Sequence, residues 1–302
     1  MRGLREDFPL ASWADFEPTL QEIRRKYAES TETLDDGRVF HDTEHMLFRG
    51  QANSDWKLQT TLERRTSDSM NIDSYVEAAT RYAPEIEAYS GKRWSGTDYT
   101  SVKASLKNTD SLYADLPCYE YMVYLRHHGF ASPLLDWTRS PYIAAFFAFA
   151  SMPSCERVAI FAFIETQGYG KYAEGGTPTI RSFGPFVRTD PRHFSQQAEY
   201  TMATQYRDEK HFFCSHHDAV ALENPIVDQD VLVRVTLPAS ERTNALTYLD
   251  EHNITHHSLF HDETSLIATM DTREFDVRRP SLNRHRQTSR ANLPEPRHCK
   301  PG

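Results

Sequence analysis

Cysteine is scarce in this 302-residue chain: four residues, at positions 118, 155, 214 and 299, with no Cys-x-x-Cys pair among them. That spacing argues against a zinc ribbon and a disulfide scaffold, and fits thiols kept reduced in a cytoplasm. No apolar run approaches the length needed to span a bilayer. The opening Met1-Arg-Gly-Leu-Arg-Glu-Asp carries no apolar segment of the kind that directs export. A cytoplasmic protein without a membrane partner is the expectation. Glycine clusters only at 168, 170, 175 and 176, without the strand–glycine–helix order of a Rossmann or P-loop turn, so residues 167–179 read as a loop and not as a phosphate cradle. Gly-x-Ser-x-Gly and His-Glu-x-x-His are absent, and no internal repeat is visible.

What is present suits a globular body with a contrasting tail. The apolar share of 39% supplies a core. The net charge of −9 is uneven: residues 278–302 hold seven Lys/Arg and one acid, leaving −15 on the remainder. With four prolines and little periodicity, that basic tail is expected to be disordered, either solvated or docked on an acidic surface. The expected organisation is an N-terminal amphipathic helix and lead-in over 1–39, one domain over 40–277, and the tail over 278–302.

Trp13, Phe16, Leu20, Ile23 and Tyr27 recur at helical spacing behind a capping-box start at Ser12 and Asp15. Short strands are expected over 44–50 and 210–214, stronger ones over 156–164 and 230–237, and helices over 72–89 (broken at Pro84), 240–251 and 262–272. The stretch 90–111 reads as an insertion or loop, and 186–201 as short and irregular. Strands and helices intermix without regular βαβ alternation, which favours α+β over α/β.

The densest segment runs from Leu125 to Phe149. Gly129 follows a periodic stretch (Leu116, Tyr119, Met122, Val123), as a helix C-cap would. Ser140-Pro141 reads as N-cap and first residue of an apolar, buried helix. Between them Leu134-Leu135-Asp136-Trp137-Thr138 forms an elbow beside a helix N-terminus. It is either an anion-favouring lining or a connector in which Asp136 and Thr138 satisfy backbone groups.

Together with Phe48-Arg49-Gly50, this segment resembles the FRG-domain family, which is named for that tripeptide. His127-His128-Gly129, Leu134 to Thr138 and Ser140-Pro141 are similar to its second block, with histidine where tyrosine is usual. Ser195-Gln-Gln-Ala-Glu-Tyr-Thr201 and Ser258-Leu-Phe-His-Asp262 are similar to two weaker blocks. The order Arg49, Thr138, Gln-x-Glu is in turn similar to mono-ADP-ribosyltransferases of the Arg-Ser-Glu class, which implies a mixed split sheet with flanking helices.

That likeness implies NAD as substrate. Arg49 would grip the pyrophosphate, with Asp136 beside it, and Thr138 would hold a ribose. Glu199, with Gln196 in reserve, would stabilise the oxocarbenium ion as nicotinamide leaves. Trp137 or Tyr200 would stack on the nicotinamide, and His128 would donate to a phosphate or bond Asp136. Components of toxin and phage-defence loci are similar, which implies a protein or nucleic-acid target and an antitoxin or other regulatory partner. Two other readings stay open. One is a non-catalytic nucleotide- or peptide-binding module. The other is a metal-assisted nuclease or hydrolase built on the histidine pairs 127/128, 216/217 and 256/257, although adjacent histidines point apart.

Overall fold

The computed structural model describes residues 4–33, 39–43, 45–66, 70–98, 100, 102, 116, 118–152, 155–165, 176–220 and 230–279. The expected loop at 167–179 and the tail at 278–302 lie largely outside them, as does the second half of the expected loop at 90–111. Strands β1 (Glu6–Pro9), β4 (Met46–Gln51), β5 (Leu135–Thr138), β6 (Arg157–Glu165), β7 (Thr179–Phe183), β8 (Ala198–Arg207), β9 (Lys210–Phe213) and β10 (Asp230–Pro238) form one mixed, open sheet. Its order is β1-β10-β6-β4-β5-β8-β7, with β9 also paired to β8. A separate ribbon joins β2 (Glu29–Thr33) to β3 (Val39–Thr43). The class is α+β, as expected.

Local chemistry accounts for most elements. Asn71 caps helix α2 (Ile72–Thr80) by accepting from Ser74 N, and the chain restarts at Pro84 in α3 (Ala83–Ser90). Helix α4 (Tyr119–His127) ends where Gly129 turns to φ 84°, and Phe130 N reaches back to Leu125 O at 3.0 Å. Ser140 caps α5 (Pro141–Phe149), accepting from Ile143 N at 3.3 Å. The N-terminal helix α1 (Phe16–Ile23) starts behind Ser12, whose N–H donates to Asp15 at 3.0 Å. It buries Phe16, Leu20 and Ile23 in the same core as α5.

Three corrections concern the sheet. The expected elbow is a strand, β5, carried between β4 and β8. The stretch read as irregular holds a short helix, α6 (Arg192–Ser195), and then the ten-residue β8. An unforeseen edge strand, β1, pairs parallel to β10. The remaining elements are α7 (His216–Val220), α8 (Arg242–Glu251), α9 (His256–Phe260) and α10 (Glu263–Asp271). Among the described residues no helix is long and apolar enough to cross a membrane.

The sheet is continuous but nearly parts at one place. Strands β4 and β5 share a single ladder pair, Phe48 with Thr138, whereas β4 pairs with β6 over six residues and β5 with β8 over four. The split expected of the sheet is therefore a narrow seam and not two separate sheets. On one face, α1, α5 and α8 cover β10, β6 and β4 through Phe16, Phe149, Ile160 and Val235. Helices α2 and α4 cover β8 on that face through Tyr75, Tyr121 and Met202. The two helical groups leave a cleft over the seam.

Candidate functional site

The cleft encloses about 760 Å³. Its walls come from β4 and the loop after it, from β5, from the ends of α4 and α5, and from α6, β8 and α9. Arg49, Asp136, Trp137, Thr138, Gln196 and Tyr200, all expected site residues from distant parts of the chain, line it together. His128 and Glu199 are not among the lining residues.

Strand register explains the position of Glu199. Tyr200 stands opposite Asp136 and Glu199 opposite Trp137, so side-chain alternation turns Tyr200 and Glu199 to different faces. The Glu199 carboxylate is buried, lies 3.0 Å from His45 Nε2 and 3.6 Å from Arg139 Nε, and is used there. Helix phase separates the histidines in the same way. His128 is exposed and packs on the Tyr124 ring, with centroids 4.3 Å apart, while His127 faces the cleft.

Several expected roles change with the geometry. The Thr138 hydroxyl donates to Gln196 O at 2.7 Å and accepts from Ser140 N at 3.1 Å, so it staples β5 to the chain before β8 and has little left for a ribose. Trp137 is 4% exposed, and its indole N–H donates to Thr201 Oγ1 at 2.7 Å, so the ring belongs to the core and is not a stacking surface. Tyr200 is likewise buried, its ring stacked on His193 and edge-on to Tyr119. The N-terminal residues of α5 do not line the cleft. Phe147, Ser151 and Met152, at and beyond its C-terminal end, do. Any attraction for anions in the cleft would therefore rest on side chains and not on that helix N-terminus.

Those side chains are mostly arginines. Lys57, Arg49, Arg64, Arg126 and Arg192 line the cleft with one carboxylate, Asp136. Arg126 Nε donates to Asp136 Oδ1 at 2.9 Å and Nη2 donates to Oδ2, a bidentate grip. Arg49 Nη1 donates across the seam to Asp136 O at 2.7 Å, and its Nε is buried with no hydrogen-bond partner. Burial lowers the Arg49 pKa to about 10, against the pull of Asp136. Burial raises that of Asp136, but the charge and hydrogen bonds of Arg126, with Arg49, outweigh it and hold the carboxyl below its ordinary range. Sequence reasoning missed Lys57, Arg64 and Arg192, which carry no motif, and Arg126, which directly precedes the His127-His128-Gly129 block. Gln196 donates its side-chain amide to Leu259 O at 3.1 Å.

A hydrogen-bonded chain runs from the cleft into the core. Pro185 O lies 2.7 Å from His193 Nε2, which must carry the proton because a carbonyl only accepts. Burial lowers the His193 pKa, so the ring is neutral and Nδ1 accepts from the Tyr200 hydroxyl at 3.3 Å. The Tyr200 oxygen then accepts from His127 Nε2 at 2.7 Å. His127 Nδ1 is left as a buried lone pair with no partner. The histidine pairs themselves do not assemble: among the described residues no group of three His, Cys, Asp or Glu is placed to hold a metal ion.

These environments set opposite titrations. Burial, with Arg192 nearby, lowers His127 to about 4, whereas the hydrogen bond to Glu199 raises His45 above its ordinary 6.5. A histidine held neutral in the fold charges first in the unfolded chain, so the His127 contribution to stability is lost as pH falls from 6.5 toward about 4. The His45 contribution is complete below 6.5 and is lost as pH rises through its higher folded value. NMR titration of the ring resonances should show His45 protonating above the ordinary 6.5 and His127 well below it. Glu199→Gln should return His45 to a pKa at or below the ordinary value and leave His127 unmoved.

No curated protein and no solved structure matches the chain. Residues 44–156 match the model of the FRG domain, a segment holding the tripeptide and the second block but neither the glutamine-rich block nor 258–262. The matched segment supplies Arg49, Arg126, His127 and Asp136, while Arg192, Gln196, Tyr200 and Phe260 complete the cleft from beyond it. The tripeptide on β4 and the second block, running from α4 through β5 to α5, meet at one cleft, and residues 44–156, which hold both, are similar to the FRG domain.

Proposed function

We propose that the seam cleft binds NAD and that the protein passes the ADP-ribosyl group to a macromolecular acceptor, as a cytoplasmic effector of toxin or phage-defence type. The observation that carries this reading is the charge balance: five cations line the cleft with one carboxylate, in a chain of net charge −9. A pyrophosphate suits such a concentration of guanidinium groups, and a volume of about 760 Å³ suits a dinucleotide. In the transfer, the C1′–N bond to nicotinamide breaks with its electron pair leaving on the base. The acceptor atom then bonds C1′ and loses its proton to solvent. Arg49 holds the pyrophosphate, and Gln196 is a cleft-side polar group available to the ribose.

One observation favours a second reading, a nucleotide-binding module without turnover. The single carboxylate among the described lining residues is ion-paired to Arg126, and the Glu199 carboxylate faces away. Calorimetry with NAD, then incubation of the protein with labelled NAD and cell extract, separates the two. Arg49→Ala should weaken NAD binding about tenfold or more, since it removes a charge-assisted contact worth about 1.5–3 kcal/mol, and should relieve growth arrest on induction. Glu199→Gln should leave NAD affinity unchanged. Binding without label transfer would leave the module reading; no binding at about 1 mM NAD would end both.

A further inference from the structure

We infer that the acceptor taken at this cleft is a single-stranded nucleic acid, read by the loop that follows β4; the inference rests on the proposed transfer. The loop is firmly built. Asp55 N donates to Asn53 Oδ1 at 2.8 Å, Thr60 N and Glu63 N exchange bonds with each other's side chains at 2.7 and 3.2 Å, and Leu62 N donates to Ser132 O. Leu58, Thr60 and Leu62 are buried as anchors. Between and around them Trp56, Lys57, Gln59 and Arg64 are exposed, and all four line the cleft. Trp56 is 52% exposed, and Met152, which lines the same cleft, is 77% exposed.

An open indole flanked by cations matches what nucleic acid offers and what few other ligands combine: a base with a flat face, and a phosphate on either side of it. The polarity also fits the location. The body repels nucleic acid at long range, but beyond about 8–10 Å that repulsion is screened at physiological salt, and Lys57 and Arg64 act within contact distance. Deeper in the cleft Arg49, Arg126 and Asp136 occupy the floor, so the strand is held at the rim while NAD occupies the seam.

Fluorescence anisotropy with labelled single strands of about 12 nucleotides, as RNA and as DNA, tests this on the full chain, together with quenching of tryptophan emission. Binding should weaken steeply with salt. Trp56→Ala should reduce it about tenfold or more, and Arg64→Ala should lower the slope of log affinity against log salt by about 0.7. Arg49→Ala should leave oligonucleotide affinity within about threefold while NAD affinity falls. NAD binding with no oligonucleotide binding, or label transferred to protein alone, would overturn the inference and leave the proposed transfer standing. Oligonucleotide binding indifferent to Trp56→Ala would overturn the assignment of the loop. Comparing the RNA and DNA arms identifies which strand is the acceptor.

Discussion

Gly50→Ala should cost this protein about 3 kcal/mol or more, and equilibrium unfolding in denaturant should show it as a lower midpoint. The cause is space and not backbone freedom. A β-carbon on Gly50 would stand 1.8 Å from Ala144 O and 2.7 Å from Ala148 N, both main-chain atoms of α5. Main chain cannot turn aside as a side chain can, so the helix must lift off β4 and open the core around Phe48, Ala144 and Ala148. The contrasting variant is Gly129→Ala. That glycine has φ +84° and nothing within 4 Å of an added β-carbon, so only conformational strain opposes the change, about 1–2 kcal/mol. If the two variants prove equally mild, α5 does not sit on β4 as closely as described.

The second large effect belongs to Asp136, and it has opposite signs in stability and in binding. Asp136→Asn removes the charge that Arg126 grips with two hydrogen bonds and that Arg49 approaches at 3.8 Å. Breaking a buried ion pair from one side costs about 3–5 kcal/mol, and the lower end applies here because the Asp136 side chain is 38% exposed. The folded carboxyl titrates below its ordinary 3.8, so its contribution is complete above that value and is lost as pH falls through the lower folded pKa. The variant should therefore be less stable at neutral pH and should lack that acid-side loss. At the same time the cleft gains a net positive charge, so anionic ligands, pyrophosphate as well as NAD, should bind more tightly at low salt. Denaturation and calorimetry on the same sample read both signs. A variant that loses stability without gaining anion affinity would mean that Asp136 itself contacts the ligand.

How much of this was legible in the sequence follows from the range of the signals. Ser140-Pro141, Gly129 and the apolar runs that became β6 and β10 were readable because capping and periodicity are local. Strand β8 was not, because Ala198 to Thr204 is buried throughout and its first residues fall in a glutamine-rich block that masks a strand pattern. The blocks named most of the cleft: Arg49, Asp136, Gln196 and Tyr200 all reach it. Two expected residues, His128 and Glu199, do not line the cleft, whereas their neighbours His127 and Tyr200 do, because a step of one residue turns a side chain to another side of a helix or the other face of a strand. Arg64 and Arg192 were invisible, since a cation recruited from elsewhere in the chain leaves no spacing to recognise, whereas Arg126 adjoins the second block.

The single ladder pair at the seam, Phe48 with Thr138, divides the protein into parts that can change and parts that cannot. Residues that close the seam, Arg49, Asp136, Thr138 and Gly50, serve the fold and the cleft at once, so any substitution there is tested twice. The loop after β4 is held by its buried anchors, which leaves the four exposed positions between and around them answerable only to whatever the cleft receives. Descendants of this chain would be expected to acquire new ligands by exchanging Trp56, Lys57, Gln59 and Arg64 while the seam stayed as it is.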